Sequence, residues 1–160
     1  MAGTVARQLR QKSPFSSREH EIFLGLLMAS ARILEPWAQF LKTTAKLTNS
    51  QYNILRILRG SHPTGLACSD IAERMVARDP DITRLVDRLG KRGLVERTRS
   101  PRDRRVVEVG ITDQGLALVS GLDPQARRMP KALLGHLGAE RLRHLGGLLE
   151  AVISDRGTFP

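Results

Sequence analysis

At Gly93 the apolar rhythm of the chain changes from steps of three and four to steps of two, which marks a helix giving way directly to a strand. Before it, Ile82, Leu85, Val86 and Leu89 stand at i, i+3, i+4 and i+7, the pattern of one buried helix face. Asp79 is a suitable N-cap for that helix, Pro80 suits its first position, and Gly93 can take the left-handed conformation that closes helices. After it, residues 94–98 and 105–111 are rich in β-branched types, and Val107, Val109 and Ile111 alternate with polar or small neighbours. Residues 100–104 hold a proline and separate the two runs as a turn. The centre of the chain therefore reads as a helix followed directly by a β-hairpin with an arginine-rich tip.

Helical patterns flank this core. Ile22, Leu26, Ala29, Ile33, Trp37 and Phe40 predict a long helix, which Pro36 is expected to kink or rebuild near residues 34–36. Thr48 and Gln51 form a capping box ahead of Tyr52, Leu55 and Leu58, and the helix they open runs to Gly60. Residues 61–65 form a turn, Ile71, Ala72 and Met75 mark a short helix, and residues 76–79 connect it to the next. Thr112 and Asp113 open a further helix through Leu116, Val119, Leu122, Ala126, Met129 and Leu133, weakened locally by Gly121 and Pro124. A last helix from about Ala139 aligns Leu142, Leu145, Leu148, Leu149 and Val152. Residues 1–15 lack such periodicity and carry Arg7, Arg10 and Lys12, so they read as a basic arm, mobile or ordered by a partner.

Charge narrows the function. The chain has 26 Lys and Arg against 16 Asp and Glu, a net +10, and 21 of those bases are arginine, whose planar fork suits phosphates and guanine edges. Nine bases and three acids fall between Arg84 and Arg105, a local net of +6. A polyanionic partner fits this distribution; taken on charge alone, a solvated basic face fits it too. With 160 residues, one compact unit is expected. No apolar run reaches the ~18 residues of a membrane span and no secretory signal is present, so a cytoplasmic protein with no membrane partner is expected. The single cysteine, Cys68, excludes an internal disulfide and a multi-thiolate zinc site, and His20, His62, His136 and His144 have no metal-ligand spacing. No glycine-rich phosphate loop, nucleophile elbow or zinc-binding HExxH helix occurs, so neither an enzyme nor a cofactor is expected.

The element order is that of a helix-turn-helix followed by a wing: a mainly α fold with a small β-hairpin. Packing Ile82, Leu85, Val86 and Leu89 inward leaves Asp81, Thr83, Arg84, Asp87 and Arg88 outside, in position to enter a major groove of double-stranded DNA. Arg84 and Arg88, one turn apart, suit guanine edges or phosphates. Thr83 suits a phosphate or a thymine methyl, and Asp81 suits either a cytosine amino group or the helix dipole.

The runs CSDIAERM and DPDITRLVDRLGKRGLVERTRSPRDRRVVEVGITDQG, with DxRxxxV at Asp103, Arg105 and Val109, resemble the DNA-binding lobe of the multiple-antibiotic-resistance regulator (MarR) family from about residue 47 to 118. The resemblance implies a homodimeric winged helix-turn-helix regulator, most commonly a repressor, divided into an arm (1–15), an N-terminal dimerisation helix (16–47), a DNA-binding lobe (48–115) and C-terminal dimerisation helices (116–156). It implies that Arg105 enters a flanking minor groove while Asp103 holds its guanidinium, and that Arg102 and Arg104 add phosphate or groove contacts. Where the family often has a threonine cap this chain has Ala67, so Cys68 or Ser69 is expected to take over, and Ser69 joins the candidate DNA-binding residues. Family crevices that bind small aromatic or phenolic effectors make Trp37, Phe40 and Tyr52 candidate ligand-binding residues; packing in the core is the competing reading. Two further alternatives are a redox-sensing regulator acting through Cys68, against an inert thiol, and a winged helix that docks protein. Segment 81–105 holds no aromatic anchor for such docking.

Overall fold

A computed structural model describes residues 3–77, 79–99 and 105–155. In chain order the elements are α1 (Thr4–Gln8), α2 (Arg18–Ala45), α3 (Asn49–Ser61), β1 (Leu66–Ala67), α4 (Cys68–Glu73), α5 (Ile82–Gly90), β2 (Val95–Arg99), β3 (Val107–Ile111), α6 (Asp113–Leu134), a 3-10 turn (Gly135–Leu137) and α7 (Gly138–Ser154). They form two compact units, Met1–Leu116 and Ala117–Pro160. No helix among the described residues is long and apolar enough to cross a membrane.

The first unit is built around α3, which touches α2, α4, α5 and β3. Its capping box forms as the sequence predicts: the Thr48 hydroxyl accepts from Gln51 N–H at 3.2 Å, and Gln51 Oε1 accepts from Thr48 N–H at 3.0 Å. Ile54, Leu55 and Leu58 of α3 are buried together with Leu41 of α2, Ile71 of α4, Val86 and Leu89 of α5 and Val109 of β3. Full burial of each such side chain contributes ~1.5–3 kcal/mol, which a lobe this small needs.

The sheet is antiparallel in the order β1-β3-β2, with Val95 opposite Ile111 and Arg99 opposite Val107. The hairpin is the expected wing, each strand starting one or two residues late. The two-residue β1 was not legible, being too short to show a period; it pairs Leu66 with Val109 and Ala67 with Glu108.

Three expectations about helices are corrected. Pro36 does not interrupt α2, which is continuous through it, as α6 is through Pro124 and Pro130. A proline deletes one backbone donor, and in α2 the buried Trp37, Leu41 and Ala45 on its C-terminal side hold the following turns in place. The α5 N-cap is Asp81 rather than Asp79: Asp81 Oδ1 accepts from Arg84 N–H at 3.2 Å, while Asp79 Oδ1 accepts from Asp81 N–H at 3.1 Å and leaves Pro80 in the turn. At the start of α4 the N-cap remains Ala67 with no side-chain cap bond, so neither Cys68 nor Ser69 replaces it; pairing of β1 with β3 fixes this entry instead. Inside the segment read as an arm, α1 forms and lies against α2.

The exit from α5 ties the start of the wing to the start of α6. Gly93, at φ 69°, donates to Gly90 C=O at 2.8 Å, and Leu94 N–H donates to Leu89 C=O at 3.1 Å, the paired bonds of a Schellman ending. Thr112 Oγ1 then donates to Gly93 C=O at 2.7 Å and accepts from Gly115 N–H at 3.1 Å, capping α6. Gly115 must lack a side chain, since a Cβ would overlap the Leu94 carbonyl and stand 2.7 Å from Ile111 Cγ1.

The α2 and α7 surfaces are unlike the lobe. Ile22, Phe23, Leu26, Leu27 and Leu34 of α2 are exposed, as are Leu142, Leu148, Leu149, Val152 and Ile153 of α7.

Candidate nucleic-acid interface

Helix α5 presents the face that its sequence predicts. Ile82, Val86 and Leu89 are buried and Leu85 half-buried, while Asp81, Thr83, Arg84, Asp87 and Arg88 are exposed. Ser69, near the start of α4, is exposed. The connector into α5 is pinned from below: Val76 N–H donates to Asn53 Oδ1 of α3 at 2.8 Å, and Arg74 Nη1 to Ser61 Oγ at 3.2 Å.

Charge on this face is partly paired. Asp81, besides capping, lies 3.7 Å from Arg84 Nη1. Asp87 Oδ1 lies 2.7 Å from Nη2 of Arg97, which reaches across from β2 and also donates to Thr83 C=O at 3.5 Å. Sequence reasoning missed Arg97 because the contact depends on how the wing folds against α5. Among the described residues Arg88 makes no side-chain hydrogen bond or ion pair. Arg92, counted in the basic segment, faces another way: its Nη1 and Nη2 donate to Lys46 and Ala45 C=O, both at 2.8 Å, closing the C-terminus of α2.

Arg105 is exposed in the turn leading into β3. Arg102, Asp103 and Arg104 lie outside the described residues. Among the described residues no group of three His, Cys, Asp or Glu side chains could hold a metal ion. Cys68 is a free, half-buried thiol at the first position of α4.

The structure brings Trp37, Phe40 and Tyr52 together. Trp37 stacks on Phe40 with centroids 5.3 Å apart and meets Tyr52 edge-on at 5.1 Å. Trp37 and Tyr52 are buried, and Phe40 is half-buried. A groove of about 570 Å³ lies where α2 meets α3, lined by Lys42, Lys46, Thr48, Asn49 and Ser50 among others and by none of the three aromatic residues.

Residues 47–107, which hold α3 through α5 and β2, match the MarR family pattern. A crystal structure of a MarR transcription factor from Planctomyces limnophilus is 43% identical, with 86% of this chain and 99% of that one covered at a TM-score of 0.63. The chain belongs to the MarR family. The homoprotocatechuate degradative operon repressor of Escherichia coli is 30% identical over 108 residues, 68% of this chain and 72% of its own length. The PcaV regulator of Streptomyces coelicolor, crystallised in complex with its natural ligand, is 26% identical at a TM-score of 0.69, covering 91% of this chain and 98% of that one. This MarR-family chain is thus a DNA-binding transcriptional regulator with a winged helix fold, and the exposed face of α5 with the adjoining hairpin is its candidate DNA surface.

Proposed function

We propose that the protein works as a homodimeric repressor on a pseudo-palindromic operator and that a small aromatic or phenolic effector releases it. The observation that carries the DNA-reading part is the exposed face of α5, where Thr83, Arg84 and Arg88 stand over a buried apolar stripe. Arg88 is the strongest candidate for a base edge, because no carboxylate among the described residues competes for its fork. Arg84 shares its charge with Asp81 and is the better candidate for a phosphate. Ser69 of α4 is proposed as a backbone contact, and Arg102, Asp103, Arg104 and Arg105 form the proposed wing contact.

The exposed apolar residues of α2 and α7 support a second copy as partner, since a lobe with a closed core has no use for Phe23 and Ile153 in water. Effector control is supported by the liganded S. coelicolor relative, and repression by the name of the E. coli one. For this chain the effector site is proposed at the Trp37, Phe40 and Tyr52 cluster, with Phe40 as the accessible ring.

Sequencing of genomic DNA fragments retained by the purified protein tests the reading. An inverted repeat with half-sites ~10 bp apart is expected. Recovery of unrelated sequences alone would count against an operator-specific regulator. A thermal-shift screen of aromatic acids and phenols, followed by competition against the recovered operator, tests effector control.

A further inference from the structure

We infer that Asp87 is a specificity-determining residue that acts by holding Arg97 away from DNA phosphates. The inference rests on the DNA-binding reading and assigns a role to two residues that the motif itself does not.

A carboxylate in the middle of a helix face that meets a polyanion needs a reason to be there. Asp87 stands between Thr83, Arg84 and Arg88 on the exposed side of α5. Its own repulsion is cancelled by Arg97, 2.7 Å away, whose same nitrogen also reaches Thr83 C=O at 3.5 Å. Thr83 and Asp87 are one helical turn apart, so a single guanidinium nitrogen from the wing strand spans that turn of α5. The two side chains are 40% and 48% exposed, and ion pairs so open to water add little to fold stability. Their effect is instead on the charge that the face offers.

Arg97 belongs to the same face as Arg84 and Arg88, yet its fork is committed to α5. Released, it adds one phosphate-neutralising cation to the surface. Phosphate contacts fix position and carry no base information, so such a cation raises affinity for every duplex alike. Holding it back keeps random-sequence binding low while Arg84 and Arg88 still read the groove. Asp87 thereby widens the margin between operator and bulk DNA.

The test uses the full chain and its Asp87→Asn, Arg97→Gln and doubly substituted variants, titrated on operator and on a scrambled duplex at salt concentrations from about 50 to about 200 mM. Asp87→Asn is expected to bind scrambled DNA more tightly, with a log–log salt slope steeper by about 0.9, equivalent to an extra loss of roughly 3.5-fold across that fourfold salt range. The ratio of operator to scrambled affinity is expected to fall, and adding Arg97→Gln should return the slope to the wild-type value. Arg97→Gln alone uncovers the Asp87 carboxylate and is expected to weaken binding to both duplexes, so the doubly substituted chain, in which neither charge remains, isolates what Arg97 itself contributes. A slope reduced by about 0.9 in the doubly substituted variant overturns the inference, because Arg97 would then already contact phosphate in the wild type. So does an Asp87→Asn variant whose slope is unchanged and whose preference shifts at one base pair, the signature of direct cytosine reading. A folded wild-type protein that binds neither duplex defeats the DNA-binding reading and this inference together, whereas altered variants on a binding wild type bear on Asp87 alone.

Discussion

Arg84 and Arg88 look equivalent in the sequence, two arginines one turn apart, and the structure separates them: Asp81 lies beside the first, and no carboxylate among the described residues pairs with the second. Arg88→Ala is therefore expected to cost about 1–3 kcal/mol of operator affinity and to relax preference at one base position, read by binding to a panel of single-base operator variants. A uniform loss across the panel would assign Arg88 to a phosphate. In the wing, Arg105→Ala is expected to weaken operator and random DNA together and to lower the salt slope by about 0.9. Asp103→Ala should partly reproduce that defect despite removing a negative charge; tighter binding by the Asp103 variant would falsify the holding role. At this scale the exposed face of α5 was legible, because a step of about 100° per residue places each side chain once the buried stripe is known. The Asp87–Arg97 pair was not, nor the turn of Arg92 toward α2, since both depend on approaches between segments that no local period encodes.

At the scale of elements, helix existence was readable and helix ends were less so. Asp79 and Asp81 are both good caps, and local chemistry cannot rank them; the choice falls to Asp81 because Asp79 closes a turn onto the Asp81 amide. Asp81→Ala is expected to destabilise α5 by about 1 kcal/mol through the lost cap, and to weaken DNA binding by releasing the helix start. Thermal denaturation alongside operator titration checks both, and an unchanged melting temperature would mean that the first turn is held without Asp81. Pro36 misled in the other direction. It argued locally against one long helix, yet α2 runs through it, and α6 runs through Pro124 as its apolar spacing indicated. Buried side chains beyond Pro36, Trp37 and Leu41 among them, supply what the missing amide cannot.

At the scale of the molecule, the apolar residues left in water are the surface on which a second copy is proposed. The sequence showed the α2 stripe as one face, and the structure divides it: Trp37 is 8% exposed, whereas Ile22 is 50% and Leu26 40% exposed. Only folding of the lobe reveals which part of a stripe the chain itself can cover. Sedimentation is expected to give about twice the 17.8 kDa chain mass, and Phe23→Glu to shift it toward the single chain with loss of operator binding. A wild-type protein that stays a folded single chain at micromolar concentration would remove the dimer. If the effector favours the DNA-incompatible state ~100-fold, DNA must weaken effector binding by the same factor, about 2.7 kcal/mol. Arg92 bears on how such a signal travels. Its two nitrogens hold the last carbonyls of α2, a 28-residue rod about 42 Å long. The C-terminal end of the rod and the exit of α5 are thereby fastened at one guanidinium two residues beyond α5, so a tilt of α2 about its buried end would reach α5 through this tie as well as through the packing of Leu41.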